Sequence, residues 1–219
     1  MSRVLLGLVA ALVVAAPAAA LGRGGHDPQK RLDARDQAKA RSLVLQQRDL
    51  GSGWTSNPPP STGSSGDLSC AGFDPNLSDL VETGEAQSRV FARGLGTSVF
   101  SIGTVYADAR TAETAWNRIM RRALVRCLST LLEGSSTGGV AIKTLSSGRF
   151  AFPRTTPRSA AFRIAVEAKA LGVATRIYVD LLGLGRGRLE ADVFVVSVQQ
   201  PFPAPLERSL ARSVGARLG

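Results

Sequence analysis

Between residues 111 and 132, apolar side chains recur at Ala112, Ala115, Trp116, Ile119, Met120, Ala123, Leu124, Cys127, Leu128 and Leu131. This is the one-sided spacing of a helix. Arg118, Arg121 and Arg122 fall on its opposite side, Cys127 faces the core, and Asp108 stands where it can cap the first turn. Downstream the period changes to two. After a strand over residues 140–145, Phe162, Ile164, Val166 and Ala168 alternate with Arg163, Glu167 and Lys169. The next strand sets Val173, Thr175, Ile177, Val179 and Leu181 against Arg176, Tyr178 and Asp180. The last sets Leu189, Ala191, Val193 and Val195 against Glu190, Asp192 and Phe194. Glycine-bearing connections at Leu171-Gly172 and over residues 183–187 predict an antiparallel meander. Pro201, Pro203 and Pro205 stop it, and Leu206, Leu210, Val214 and Leu218 form the stripe of a final helix.

Upstream, Val90-Phe91 and residues 98–106 flank Gly94-Leu95-Gly96 in the manner of a hairpin. Residues 32–50 read as a first helix, ended by Gly51-Ser52-Gly53. Residues 54–66, with Asn57-Pro58-Pro59-Pro60 and a Ser/Gly run, read as a loop. Residues 67–85 carry no clear periodicity. The fold class expected is α+β: a curved antiparallel sheet of about five to six strands with helices packed on one face, in the order β-β-α-β-β-β-β-α.

Residues 1–20 carry Arg3, an apolar run from Val4 to Ala16, and Ala18-Ala19-Ala20, the pattern of a secretory signal peptide. The run falls short of the roughly 18 residues of a membrane span, and no later segment replaces it. The organisation expected is a signal peptide over 1–20, a flexible leader over 21–31 and a single domain over 32–219. The location expected is extracellular or cell-envelope, with no integral membrane segment after cleavage.

Cys70 and Cys127 are the two cysteines. In an oxidising compartment an even pair reads first as a disulfide. Two free thiols or a metal site are the alternatives; a metal needs more ligands, and the one histidine, His26, lies in a Gly-rich segment. No metal and no cofactor are expected. Asp74, Asn76, Asp79, Glu82 and Glu85 match no calcium loop, and Asp74-Pro75-Asn76 reads as a turn.

The formal net charge is +10, yet of 27 Lys and Arg residues 4 are Lys, and they are spread along the chain without a basic run or an aromatic stacking platform. That argues against nucleic acid as a partner. With a single histidine, a Ser/His/Asp or Cys/His nucleophile is not expected. Gly183-Leu184-Gly185-Arg186-Gly187 precedes a strand rather than a helix, so it reads as a hairpin turn and not as a phosphate loop. Were the chain to turn at Leu184 and Gly185, Asp180 would oppose Glu190, and Tyr178 would oppose Asp192. Arg163, Arg176, Tyr178 and Phe194 would then share one polar face, either as a ligand-contacting patch or as an ordinary solvent face. Trp116 reads as a core residue, and Trp54 as core packing or a rim contact.

Several of these features together resemble the PknH-like extracellular sensor domain and related exported actinobacterial domains. They are the export signal, a helix leading into Asp49-Leu50-Gly51-Ser52-Gly53-Trp54, a Cys in the next loop, Trp116-Asn117-Arg118-Ile119, Cys127 and Gly185-Arg186-Gly187. The likeness spans residues 36–218. It implies an antiparallel sheet with helices on one side, a groove suited to ligand capture, and no catalytic residues. Those kinase sensors follow a membrane span and carry additional cysteines, so signalling to a kinase is not carried over.

The function expected is an exported, non-enzymatic, sensor-like ligand-binding domain using Arg163, Arg176, Tyr178 and Phe194. Its partner would be a small molecule, a lipid or an envelope component. The alternatives are an interaction protein meeting anionic envelope polymers through Arg118, Arg121 and Arg122, and a small hydrolase built on Asp180 and Glu190.

Overall fold

The computed structural model describes residues 26–59, 69–136 and 139–219. The expected signal peptide and part of the Ser/Gly loop lie outside these residues. Among the described residues the fold is α+β, with a mixed sheet of nine strands. They are β1 (Gln29–Lys30), β2 (Thr55–Asn57), β3 (Val81–Gln87), β4 (Val90–Arg93), β5 (Thr97–Tyr106), β6 (Val140–Arg149), β7 (Arg158–Ala170), β8 (Val173–Arg186) and β9 (Leu189–Val198). The main order is β1-β3-β5-β9-β8-β7-β6, with β4 also pairing β5, and β2 pairing β4. All neighbours are antiparallel except β1, which runs parallel to β3 and fixes residues 29–30 of the expected leader to the sheet.

The α-helices among the described residues are α1 (Ala34–Leu43), α2 (Ala109–Ile119), α3 (Arg122–Gly134) and α4 (Ala204–Gly215). Expected on one face, they cover both. Leu124, Val125, Cys127 and Leu128 of α3 pack on Phe100, Phe162, Ile164 and Phe194. On the other face, Ala40 and Leu43 of α1 and Leu210, Ala211 and Val214 of α4 pack on Val99, Leu182, Val193 and Val195. The central strands are therefore buried on both sides, which explains the unbroken apolar stretch from Val193 to Val196.

Two helices differ from expectation. The first stops at Leu43 instead of residue 50, because Val44 turns extended and the Leu45 amide donates to Ser101 Oγ at 2.7 Å. Asp33 caps its start by accepting from the Asp36 amide. The second, expected unbroken over 111–132, is two helices interrupted at Met120 and Arg121. Asp108 caps α2 as the sequence indicates. Met120 leaves the helical region, with φ −77° and ψ 50°, and its carbonyl accepts from Arg149 Nη2 at 2.8 Å. A break freeing a carbonyl for a distant guanidinium leaves no trace in periodicity, since both halves keep the same apolar face.

Candidate functional site

The register of β8 with β9 decides which residues meet. The chain turns at Gly187, whose φ of +53° suits glycine, and Arg188; Arg186 pairs with Leu189. Asp180 therefore opposes Val195 rather than Glu190, and Tyr178 opposes Ser197 rather than Asp192. An offset of five residues is odd, so every side chain of β9 points to the face opposite the expected one. Phe194 is the clearest correction: it is buried under α3, stacked on Phe100 with ring centroids 4.7 Å apart. Arg163, Arg176 and Tyr178 keep a common face, but α4 covers much of it.

Arg163 is engaged within the fold. Its Nε and Nη2 donate to the two carboxylate oxygens of Asp180 at 2.5 and 2.8 Å, its guanidinium lies 4.6 Å from the centre of the Phe150 ring, and Glu207 Oε2 is 3.8 Å away. Burial, then the charge of Asp180, pushes the Glu207 carboxyl up to about 8. Arg176 is exposed, opposite Glu167 on β7, and Tyr178 is half-buried. Asp180 and Glu190, the pair of the hydrolase alternative, lie on opposite faces and cannot flank one scissile bond.

What the fold does bring together is a decapeptide linking β6 to β7, Arg149-Phe150-Ala151-Phe152-Pro153-Arg154-Thr155-Thr156-Pro157-Arg158. The prolines keep it out of the sheet ladder. Thr156 locks its end: the hydroxyl donates to the Arg158 carbonyl at 2.5 Å and accepts from the Gly185 amide at 3.3 Å. Opposite runs α2, presenting Glu113, Trp116 and Asn117, and between them lies a groove of ≈ 520 Å³. That volume falls in the range of small-molecule sites.

Three guanidiniums line the groove. Arg149 is held by the Met120 carbonyl and lies 5.2 Å from the centre of the Phe162 ring. Arg154 donates through Nε to the Pro157 carbonyl at 3.1 Å. Arg158 donates to the Gly187 carbonyl at 3.1 Å and sits 5.9 Å from the centre of the Trp116 ring. Carbonyls position Arg149 and Arg154 without neutralising them. Phe150 and Phe152 meet edge to face at 6.0 Å. Gly183 lets α2 close down here, since a Cβ would lie 3.2 Å from the Trp116 ring and 2.7 Å from Met120 Cε. Fixed guanidiniums beside aromatic rings suit an anionic group carried on a flat or apolar body.

Sequence reasoning missed this site, although three arginines and two phenylalanines among prolines were a local signal. Trp116, read as core, is half-buried on the groove wall and also touches the α3-side core. Trp54 is half-buried against Phe202 at 6.4 Å. Cys70 and Cys127 form a disulfide with Cα atoms 5.5 Å apart, joining the segment before β3 to α3. Arg118 pairs with Asp79, and the helix break separates it from Arg122. Asp74 accepts from His26 and from the Asn76 amide, closing a turn.

A second, smaller cavity of ≈ 150 Å³ lies between α2 and strands β3, β5 and β9. Glu82, Glu190 and Asp192 line it. Burial, then the charge of Glu85, pushes the Glu82 carboxyl up to about 7; burial raises Asp192 to about 7 and Glu190 well above its ordinary range. Among the described residues, no three His, Cys, Asp or Glu side chains are grouped as a metal ion requires. No described helix is long and apolar enough to cross a membrane.

No family model and no curated protein match this chain. Among solved structures, the crystal structure of the extracellular domain of PknH from Mycobacterium tuberculosis is similar, with a TM-score of 0.41 and 9% sequence identity over 88% of this chain and 96% of that one. This is a distant likeness of fold, without a sequence-level relationship.

Proposed function

We infer that this chain is an exported, non-enzymatic binding domain that captures a small organic anion with an apolar or aromatic body in the groove between α2 and the β6–β7 link. The observation that carries the reading is the convergence of Arg149, Arg154 and Arg158 on a ≈ 520 Å³ groove walled by Trp116, Phe150 and Phe152. Backbone carbonyls fix the guanidiniums in advance, so little rotamer entropy remains to be lost when an anion arrives. The disulfide supports export, because such bonds persist in oxidising compartments. A soluble metabolite and a lipid headgroup offer the same chemistry. Native mass spectrometry of protein purified from its own exporting cells separates them: a co-purifying acid of low mass supports the first source, and an acyl-bearing anion the second. Bare protein that also ignores added 2-naphthalenesulfonate would defeat the reading.

A further inference from the structure

The acid cavity stands apart from the groove, and its contents are chemically unusual. Glu190 and Asp192 alternate on β9 so that both point toward α2, opposite Thr104 and Ile102 of β5. Glu82 reaches the same space from β3. Ile102, Ile119 and Met120 form an apolar part of the remaining wall, which Lys30, Glu85 and Thr104 make polar elsewhere. Positions that would ordinarily complete the core thus carry three carboxyls.

Two of those carboxyls have oxygens that are sealed from solvent and accept no hydrogen bond: Glu82 Oε2 and Asp192 Oδ1. Glu82 as a whole is 8% exposed. Lys30 forms an ion pair with Glu82 Oε2 at 3.9 Å but donates its hydrogen bond to Glu85 instead, so that oxygen still lacks a donor. Arg158 reaches Glu190 from the groove side at 3.4 Å. Tyr106, also on the cavity wall, is held neutral by burial and by the charges of Glu190 and Glu82. Buried acceptors without donors are costly, and a group supplying several N–H donors and one positive charge would relieve them together.

We propose that this cavity binds a small primary ammonium, its N–H groups donating to Glu82 and Asp192 and its short carbon stem lying against Ile102, Ile119 and Met120. The three N–H donors of an ammonium match acceptors arriving from different strands. The apolar wall distinguishes the site from a metal centre, whose ligands must close around a point.

The test is a calorimetric titration of the folded protein at about pH 8 with butylammonium, tetramethylammonium and calcium chlorides. One-to-one saturable binding of butylammonium is expected, with tetramethylammonium, which lacks N–H donors, weaker by about tenfold or more. Asp192→Asn and Glu82→Gln should each weaken butylammonium binding by about tenfold. Side-chain NMR shifts at Ile102, Ile119 and Met120 on titration locate the stem even if one variant folds poorly. No saturable binding, equal affinity for tetramethylammonium, unaltered affinity in both variants, or binding of calcium alone would overturn the proposal. Because 2-naphthalenesulfonate probes the groove separately, failure here leaves the anion reading standing, and the reverse also holds.

Discussion

Arg158 Nη2 stands 3.4 Å from Glu190 Oε1, reaching it across β8 over Gly185, the residue that pairs with both. A Cβ at Gly185 would lie 2.7 Å from Arg158 Nε. One guanidinium thus lines the arginine groove and pairs with a carboxyl that lines the acid cavity. When Glu190 is protonated, the charge of Arg158 is available to a bound anion; when Glu190 ionises, it competes. Affinity for 2-naphthalenesulfonate is therefore expected to fall as pH rises through the elevated titration of Glu190, and Glu190→Gln should remove that fall. A profile that is the same in both proteins would break this link.

Gly185→Ala is expected to fold, because the clash falls on the tip of a flexible side chain, and to weaken the anion probe by displacing Arg158. Circular dichroism reports the fold and fluorescence titration the affinity. Unchanged affinity would show that Arg158 does not contribute to binding.

Buried acids set the pH dependence of stability. Glu82 and Asp192 sit near 7 and Glu207 near 8, all above their values in an unfolded chain. The folded state binds more protons between about pH 4 and 8, so this contribution is full below pH 4 and is lost as pH rises through 7 and 8. The thermal midpoint should be higher at about pH 5.5 than at about pH 8.5, by about 2–4 °C per kcal/mol lost in a chain of this size. Asp192→Asn should narrow the difference. A midpoint that rises over that interval would contradict the burial of these groups.

Asp36 behaves in the opposite sense. Its carboxylate takes two hydrogen bonds from Arg188, at 2.5 and 2.6 Å, and one from the Thr83 hydroxyl at 2.6 Å, and the Arg188 hydrogen bonds lower it to about 2. Its contribution is present above about pH 4 and fades as pH falls toward 2. Asp36→Asn should cost about 1–3 kcal/mol at neutral pH, measured by denaturant unfolding, and progressively less below pH 4. A cost independent of pH would show that shape, not charge, matters there.

How much of this was legible in the sequence follows from which physical rules are local. The alternation of Ile177, Val179 and Leu181, and the stripe through Leu124, Cys127 and Leu128, report burial directly, and those residues are buried as read, although the helix breaks at Met120 and β8 runs on to Arg186. Register was not legible. Gly183 and Gly185 carry the composition of a turn, yet they serve close approach to Trp116, Met120 and Arg158, contacts that come from distant parts of the chain. Reading them as a turn displaced β9 by an odd number of residues, which sent Phe194 to the wrong face. The groove was hidden for a related reason: Arg149 and Arg158 begin and end a link whose ends come together only after β6 and β7 pair.

The disulfide should matter for stability but not for the groove. Its cysteines are 57 residues apart, a loop worth roughly 4 kcal/mol on the chain-entropy account. Cys70→Ser with Cys127→Ser should lower the unfolding free energy by that order while leaving affinity for the anion probe unchanged under folding conditions. Loss of affinity with the fold intact would place the disulfide in the site.

The chain contains two tryptophans, and they provide the most direct measurement. Trp116 walls the groove, whereas Trp54 packs on Phe202. In an NMR titration of nitrogen-15-labelled protein with 2-naphthalenesulfonate, the indole N–H signal of Trp116 should shift saturably, that of Trp54 should stay, and Arg149→Ala with Arg154→Ala should abolish the response. Equal shifts of both indoles, or a Trp116 shift that survives the double variant, would contradict an arginine-lined anion site.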